Sequence, residues 1–245
     1  MGKPLNQQRR GKGSPAFTAP SHLYNVRAEF RPYDNRERSG IVVGHVISFV
    51  DDSAHSGILM RVQTDDGIYH LIAPEGIAIG DAVQFGSQAK IALGNALPLS
   101  SIPDGTPIYN IELTPGDGGS FVRAAGSTAY IVARTGNRVT VRLPSKKVKE
   151  FDSACRAEIG IVSAGGRLEL PFFKAGKHAH AVRHTAKYWP HVRGVAMNPV
   201  DHPFGGSQHH PGRSTCCARG APPGQKVGLI GAGSVGRGRG KKRSS

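Results

Sequence analysis

Apolar and polar positions alternate with a period of two through the middle of the chain, and the alternation stops towards both ends. Residues 41–50 are rich in β-branched side chains and close at the turn cluster Asp51-Asp52-Ser53. Residues 57–64 form a second run, and Asp65-Asp66-Gly67 separates it from a third at residues 68–73. An Asp-Gly step between two apolar runs signals a hairpin. Residues 80–86 and 108–113 complete a first set of about five short strands, a number and spacing that suit a small barrel of the oligonucleotide-binding type.

A second set begins at Phe121. Residues 128–134 and 138–143 flank Gly136-Asn137, and in the latter run Val139, Val141 and Leu143 share one side while Arg138, Thr140 and Arg142 share the other. That alternation predicts a hairpin with one buried face. Residues 146–151 and 158–162 supply further strand, and the set resembles a second small barrel of the SH3 type. The outward Arg138 and Arg142 suit a solvated strand face and phosphate contact equally. After Pro171 no period persists, and a stretch as long as residues 174–245 exceeds any ordinary loop. It must be either disordered or moulded on something else. The predicted fold is therefore mainly β: two small barrels in tandem, with long irregular basic extensions at both termini. The expected boundaries are 1–38 for the N-terminal extension, 39–115 and 116–173 for the barrels, and 174–245 for the C-terminal extension.

Charge separates along the same boundaries. The 245 residues carry 32 Lys and Arg against 17 Asp and Glu, a net charge of +15. Residues 1–38 hold 8 basic and 3 acidic side chains, residues 39–170 hold 11 and 13, and residues 171–245 hold 13 and 1. A near-neutral centre between two strongly basic arms points to a polyanionic partner. No apolar run is long enough to span a bilayer, so a membrane is not the expected partner. The N-terminus lacks the apolar stretch of a secretory signal. Three cysteines, two of them the adjacent Cys216 and Cys217, make no disulfide framework and suit a reducing compartment. The N-terminal arm is Gly- and Pro-punctuated and too poor in apolar residues to order itself alone. It reads either as a disordered tail or as an arm that folds on RNA.

Three motifs invite sharper chemistry. Gly231, Gly233 and Gly236 follow an apolar run in the spacing of a dinucleotide-binding turn, but nine residues remain beyond them, with neither a helix nor an acid. Glycines there better allow backbone to approach RNA closely. His180 and His184 have a zinc-like spacing without an accompanying Cys-x-x-Cys pair, so no metal site is expected. His178, His180, His184, His191, His202, His209 and His210 suit stacking and hydrogen bonding beside bases and phosphates. Asp201 and His202, with Ser207 near, are neighbours in a Pro/Gly-rich loop rather than members of a convergent triad. No catalytic residue is assigned. Tyr188-Trp189 lies within the basic segment, and Trp189 suits packing on RNA and packing on the second barrel alike.

From Gly194 to Gly206 the sequence becomes specific: Gly194-Val195-Ala196-Met197-Asn198-Pro199-Val200-Asp201-His202-Pro203-Phe204-Gly205-Gly206. This run resembles the signature of the universal large-subunit ribosomal protein family numbered two. Ala221-Pro222-Pro223-Gly224-Gln225-Lys226-Val227-Gly228 resembles its archaeal and eukaryotic cytosolic branch. So do Leu168-Glu169-Leu170-Pro171, Lys177-His178, Tyr188-Trp189-Pro190 and, at the N-terminus, Met1-Gly2-Lys3 and Gln8-Arg9-Arg10-Gly11-Lys12-Gly13. The resemblance spans essentially the whole chain. It implies the two barrels already inferred, extensions that thread into large-subunit rRNA, and a signature loop that approaches the peptidyl transferase region. It also implies a part in subunit association and tRNA binding in the cytoplasmic ribosome. The chain departs from the family pattern at Phe204, where many members have a second histidine, which suggests the archaeal form. Cys216-Cys217 is unusual for its region. Gly233-Ser234-Val235 stands where an arginine pair is usual, leaving Arg237 and Arg239 as candidate replacements.

Charge and resemblance together assign the expected rRNA contacts. They are Arg9, Arg10 and Lys12 in the first arm, and Lys174, Lys177, His178, His180, Arg183, His184, Lys187, Trp189 and Arg193 before the signature. Asn198, Asp201 and His202 lie in it, nearest the peptidyl transferase region, and Arg213, Arg219, Lys226, Arg237 and Arg239 follow. His202 reads as a residue that positions RNA, because the reaction centre is RNA. Expected partners are large-subunit rRNA, neighbouring large-subunit proteins, the small subunit at an inter-subunit bridge and, indirectly, tRNA. No cofactor is expected beyond Mg2+ or K+ held through the rRNA. The rival class is a diffusible RNA-binding regulator, which would exchange readily with salt; an enzyme is the third.

Overall fold

A computed structural model describes residues 2–206. The chain divides into two compact units, one of residues 20–185 and one that joins the N-terminal arm to the chain after residue 185. The strands are β1 (Val42–Val50), β2 (Leu59–Thr64), β3 (Gly67–Ile72), β4 (Ala82–Phe85), β5 (Ala96–Pro98), β6 (Pro107–Tyr109), β7 (Ala129–Thr135), β8 (Arg138–Arg142), β9 (Val148–Asp152) and β10 (Arg156–Ile159). Three short helices are α1 (Asn6–Arg9), α2 (Asn35–Ser39) and α3 (Ala175–Arg183). The described fold is thus mainly β, as the alternation requires.

Both sequence-predicted hairpins form. Thr64 pairs with Gly67, so Asp65-Asp66 is the two-residue turn and Gly67, at φ +151°, already begins β3. Thr135 pairs with Arg138 across Gly136-Asn137. Val139 and Val141 are buried between the exposed Arg138 and Arg142. Two expectations need correction. The run 108–113 is not one strand: β6 ends at Tyr109, because Asn110 turns to φ +48° and Ile111 bridges Phe121 instead. Residues after Pro171 are not wholly irregular either, since α3 forms there with no buried residue.

The ten strands among the described residues lie on one hydrogen-bonded ladder in the order β3-β2-β1-β4-β5-β10-β6-β7-β8-β9. The last of the described strands therefore sits in the middle, antiparallel to both β5 and β6. Two larger apolar centres form along the ladder, beside a smaller one of Ala28, Leu59, Ile72, Tyr109 and Val162. Phe30, Val42, Val46, Met60, Val62, Leu71, Val83, Phe85 and Ala96 make the first. Leu97, Leu99, Ile102, Ile108, Ala129, Ile131, Val139, Val141, Phe151, Ala157 and Ile159 belong to the second. Successive residues of a strand point to opposite faces, so Ala96 serves the first centre and Leu97 the second.

The same alternation puts Ala157 and Ile159 on one side of β10 and two fully buried charged residues, Arg156 and Glu158, on the other. Arg156 donates to Glu112 (Nη2 2.7 Å, Nε 3.1 Å), to Glu37 (2.8 Å) and to the carbonyl of Arg31 (2.9 Å). The rings of Phe30 and Tyr33 lie 4.9 and 4.8 Å from its guanidinium. Glu37 also accepts from Arg31 (2.8 Å), which reaches Asp34 and Asp66 as well (both 2.7 Å). Burial works against the charge of Arg156, but Glu112 and Glu37 more than offset it and raise its pKa. The Arg31 guanidinium holds the Asp34 carboxyl well below the usual carboxylate range.

Glu158 has no such partner. Burial pushes its carboxyl up to about 8, so it is protonated at neutral pH. Asn110 Nδ2 donates to Glu158 Oε2 at 3.2 Å, while Asn110 Oδ1 and Glu158 Oε1 are both buried without a hydrogen-bond partner. A proton on the carboxyl supplies the hydrogen that an acid–amide pair needs.

Two outcomes follow for stability. Replacing Arg156 by Met strands Glu37 and Glu112 without their shared cation and is expected to cost about 3–5 kcal/mol in urea unfolding. Glu158 has its folded value raised above the unfolded 4.5, so its contribution is fully present below that pH and is lost as pH rises through about 8. Thermal unfolding of Glu158→Gln should match the parent near pH 5 and exceed it near pH 9; a constant gap would mean the carboxyl is already ionised.

Candidate nucleic-acid interface

The N-terminal arm does not stand alone. Within its unit, Lys3 N–H donates to the carbonyl of Val200 at 2.7 Å and Lys3 Nζ pairs with Asp201 at 3.0 Å. Helix α1 opens where Gln8 Oε1 accepts from Leu5 N–H at 2.8 Å, and Leu5 is buried. A single 3-10 turn at Pro15–Phe17 then brings Phe17 to 5.8 Å from the ring of Tyr188.

The signature loop is wound on its own backbone. The amides of Asp201 and His202 donate to the carbonyl of Asn198 (3.0 and 3.1 Å), Gly205 donates to His202 (2.9 Å), and Gly206 donates to Met197 (3.1 Å). Two glycines have a steric reason. A Cβ at Gly205 would lie 2.4 Å from the carbonyl oxygens of Met197 and Asn198. A Cβ at Gly194 would lie 2.3 Å from the His202 ring, which rests where a side chain would otherwise stand. His202 Nδ1 accepts from the Phe204 amide at 3.1 Å, and the two rings meet edge to face at 5.2 Å. A neutral imidazole that accepts at Nδ1 carries its hydrogen on Nε2, so the loop presents a donor there.

Arm and loop enclose an open cleft of about 780 Å³. Lys3, Arg9, Arg10, His191, Asp201 and His202 supply its ionisable lining, and Phe17 and Tyr188 are among its aromatic residues. Arg10 lies over the Phe17 ring at 5.7 Å, and Tyr188 meets His191 at 5.6 Å. Cations set beside flat rings suit phosphates and bases together.

Of the contacts expected from sequence, Arg9, Arg10, Asp201 and His202 converge on this cleft, and Asn198 anchors the loop through its backbone. Arg193 closes the 3-10 turn Gly194–Ala196 by accepting from Ala196 N–H at 3.0 Å. Lys12 is exposed and does not line the cleft, and Lys187 and Trp189 lie in the same unit. Lys174, Lys177, His178, His180, Arg183 and His184 belong to the other unit, on or beside α3. There His178 packs against Phe172 at 5.0 Å, and the His184 carbonyl accepts from Tyr24 OH at 3.1 Å. Arg213, Arg219, Lys226, Arg237, Arg239, the glycine motif and Cys216-Cys217 lie outside the described residues. Among the described residues, no three His, Cys, Asp or Glu side chains are grouped to hold a metal ion. Sequence reasoning missed Lys3 and Phe17. The signal for Phe17 was an aromatic residue a few positions beyond an Arg-Arg pair in a basic arm, while Lys3, paired with the distant Asp201, had none.

Gly194→Ala is expected to push the His202 ring out of its seat without unfolding the chain. Imidazole 15N shifts should then lose the pattern of a ring protonated on Nε2 and accepting at Nδ1, while the melting temperature stays unchanged; an unaltered pattern would mean that the glycine does not hold the ring.

A family profile described as "Ribosomal Proteins L2, C-terminal domain" matches residues 92–225. Curated relatives extend the likeness over nearly the whole chain. Large ribosomal subunit protein uL2 of Methanopyrus kandleri is 52% identical over 240 residues, which cover 97% of this chain and 99% of the relative. The proteins of the same name from Methanocaldococcus jannaschii and Haloarcula marismortui are 48% and 46% identical, each covering 96–97% of this chain and 99% of their own. With the signature loop closed on its glycines and the arm tied to it, this likeness settles the family: the chain belongs to the uL2 proteins of the large ribosomal subunit, in their archaeal form.

Proposed function

We propose that this chain binds large-subunit rRNA chiefly through its arms, and thereby organises the peptidyl transferase region and supports subunit association and tRNA binding. Membership of the uL2 family makes it a structural protein of the ribosome rather than an enzyme, and puts its work in translation in the cytoplasm. The observation that carries the finer reading is the cleft, where Lys3, Arg9 and Arg10 stand beside Phe17, Tyr188 and His202. The strand unit has apolar centres of its own, which leaves the basic arms as the parts suited to RNA. The basic arms bring cations to phosphates and release condensed counterions, and most such contacts position rather than read sequence.

Asp201 has a specific part in this. Its carboxylate neutralises Lys3 and so fixes the arm to the loop, leaving Arg9 and Arg10 for phosphates. His202 offers an Nε2 donor at a set position, suited to a base edge or phosphate oxygen. In this reading the bound arms pin rRNA helices from distant parts of the subunit, beside neighbouring ribosomal proteins. One face meets the small subunit at a bridge, tRNA is affected through the RNA, and any Mg2+ or K+ is held through the rRNA.

Sedimentation of a lysate in a sucrose gradient tests the role. The protein should travel with the large subunit and survive a high-salt wash; recovery at the top of the gradient would overturn the reading in favour of a diffusible RNA binder. In binding assays with large-subunit rRNA, replacing Arg9 and Arg10 by Ala should weaken affinity and lower the salt slope by about two. An unchanged slope would remove the cleft from the interface.

A further inference from the structure

Between the strand unit's last strand and α3, the chain exposes four large apolar side chains in six residues. Leu168 is 77% exposed, Leu170 73%, Phe172 48% and Phe173 86%. A contiguous exposed apolar stretch marks a surface with a partner. Its local geometry is unusual. Lys174 N–H donates to the Phe172 carbonyl at 2.6 Å across Phe173, whose φ is +56°. A three-residue turn of this hand is rare and strained for a bulky residue, and here its central ring stands in solvent. Phe172 is braced edge to face against His178 on the following helix.

The charge around the rings says what partner fits. Arg167, Lys174, Lys177 and Arg183 are all exposed, and Glu169 is the only acid in residues 165–185. An apolar protein surface seated here would desolvate these cations unless it brought acids of its own. A polynucleotide supplies a phosphate beside every base, and every base has a face on which an aromatic ring can stack.

We propose that Phe173, braced by Phe172, is a stacking platform for an unpaired RNA base, with Lys174 and Lys177 engaging the flanking phosphates. This rests on the rRNA-binding reading above and adds to it a preference for single-stranded over duplex RNA at this patch. Duplex RNA keeps its bases stacked on one another and offers no free face to Phe173.

The test uses the full chain with two probes, a short single-stranded oligouridylate and a duplex RNA of the same length. Phe173→Ala should weaken single-strand binding roughly tenfold, leave duplex binding and the salt slope unchanged, and be rescued by Phe173→Tyr. Equal single-strand affinity for parent and Phe173→Ala overturns the platform while leaving the RNA-binding role intact. Failure of the parent to bind either RNA overturns both. A shift in melting temperature or sedimentation of the RNA-free chain on Phe173→Ala would mean that the patch is covered by the chain itself or by a second copy, and would also sink the proposal.

Discussion

The strand unit depends on one guanidinium. Arg156 is fully buried on the central strand, and it ties together Glu37 on α2, Glu112 beyond β6 and the carbonyl of Arg31. A lone charge in that position would be prohibitive, and two carboxylates in a dry interior would repel as strongly. Joined, they form a set in which each charge is the condition for the others. Glu112 further accepts from the amides of Gly116 and Gly118, so the loop after β6 is shaped by the same carboxylate that faces Arg156. The segment before β1, which carries no strand, is held to the sheet through Arg31 and Glu37, by the Glu29 amide donating to the His70 carbonyl, and by Phe30 in the first apolar centre.

Against this rigid body the arms follow a different physical rule. The strand unit satisfies its buried charges internally, in pairs, whereas the cleft of the other unit keeps Arg9 and Arg10 on an open surface. The near-neutral centre and basic ends seen in the sequence are this division of labour in another form. Charge that builds the fold is balanced by acids close by, and charge that serves binding is left for a polyanion to balance. Lys3 is the exception that connects the two, because Asp201 consumes its charge to fasten the arm.

How much of this the sequence disclosed depends on whether the relevant contacts were local. The β2–β3 and β7–β8 hairpins were legible, since a turn of two residues and a period of two are both short-range signals. Strand β5 was obscure for the opposite reason, and β10 was legible only in its second half, from Glu158. β5 has three residues, all buried and one of them proline, and β10 carries an arginine and a glutamate that read as solvent-facing but are enclosed. Helix α3 has no buried residue and so no apolar stripe to announce it. In the interface, the signature residues Asn198, Asp201 and His202 were marked by their specific run, and Arg9 and Arg10 by charge. The partnership of Lys3 with Asp201 spans almost the whole chain, and no local pattern encodes it.

The central place of β10 has a consequence for how the protein is made. Without that strand, β1 to β5 and β6 to β9 form two separate ladders, each with an open edge where β10 will later bind. During synthesis from the N-terminus those edges wait until residue 159 has emerged, exposed to pairing with other chains. The joining strand brings the buried Arg156, whose two carboxylate partners are 44 and 119 residues earlier in the sequence, so closure is an event of high contact order. The length of that exposure is fixed by topology, since it ends only with a strand that comes last among the described ones.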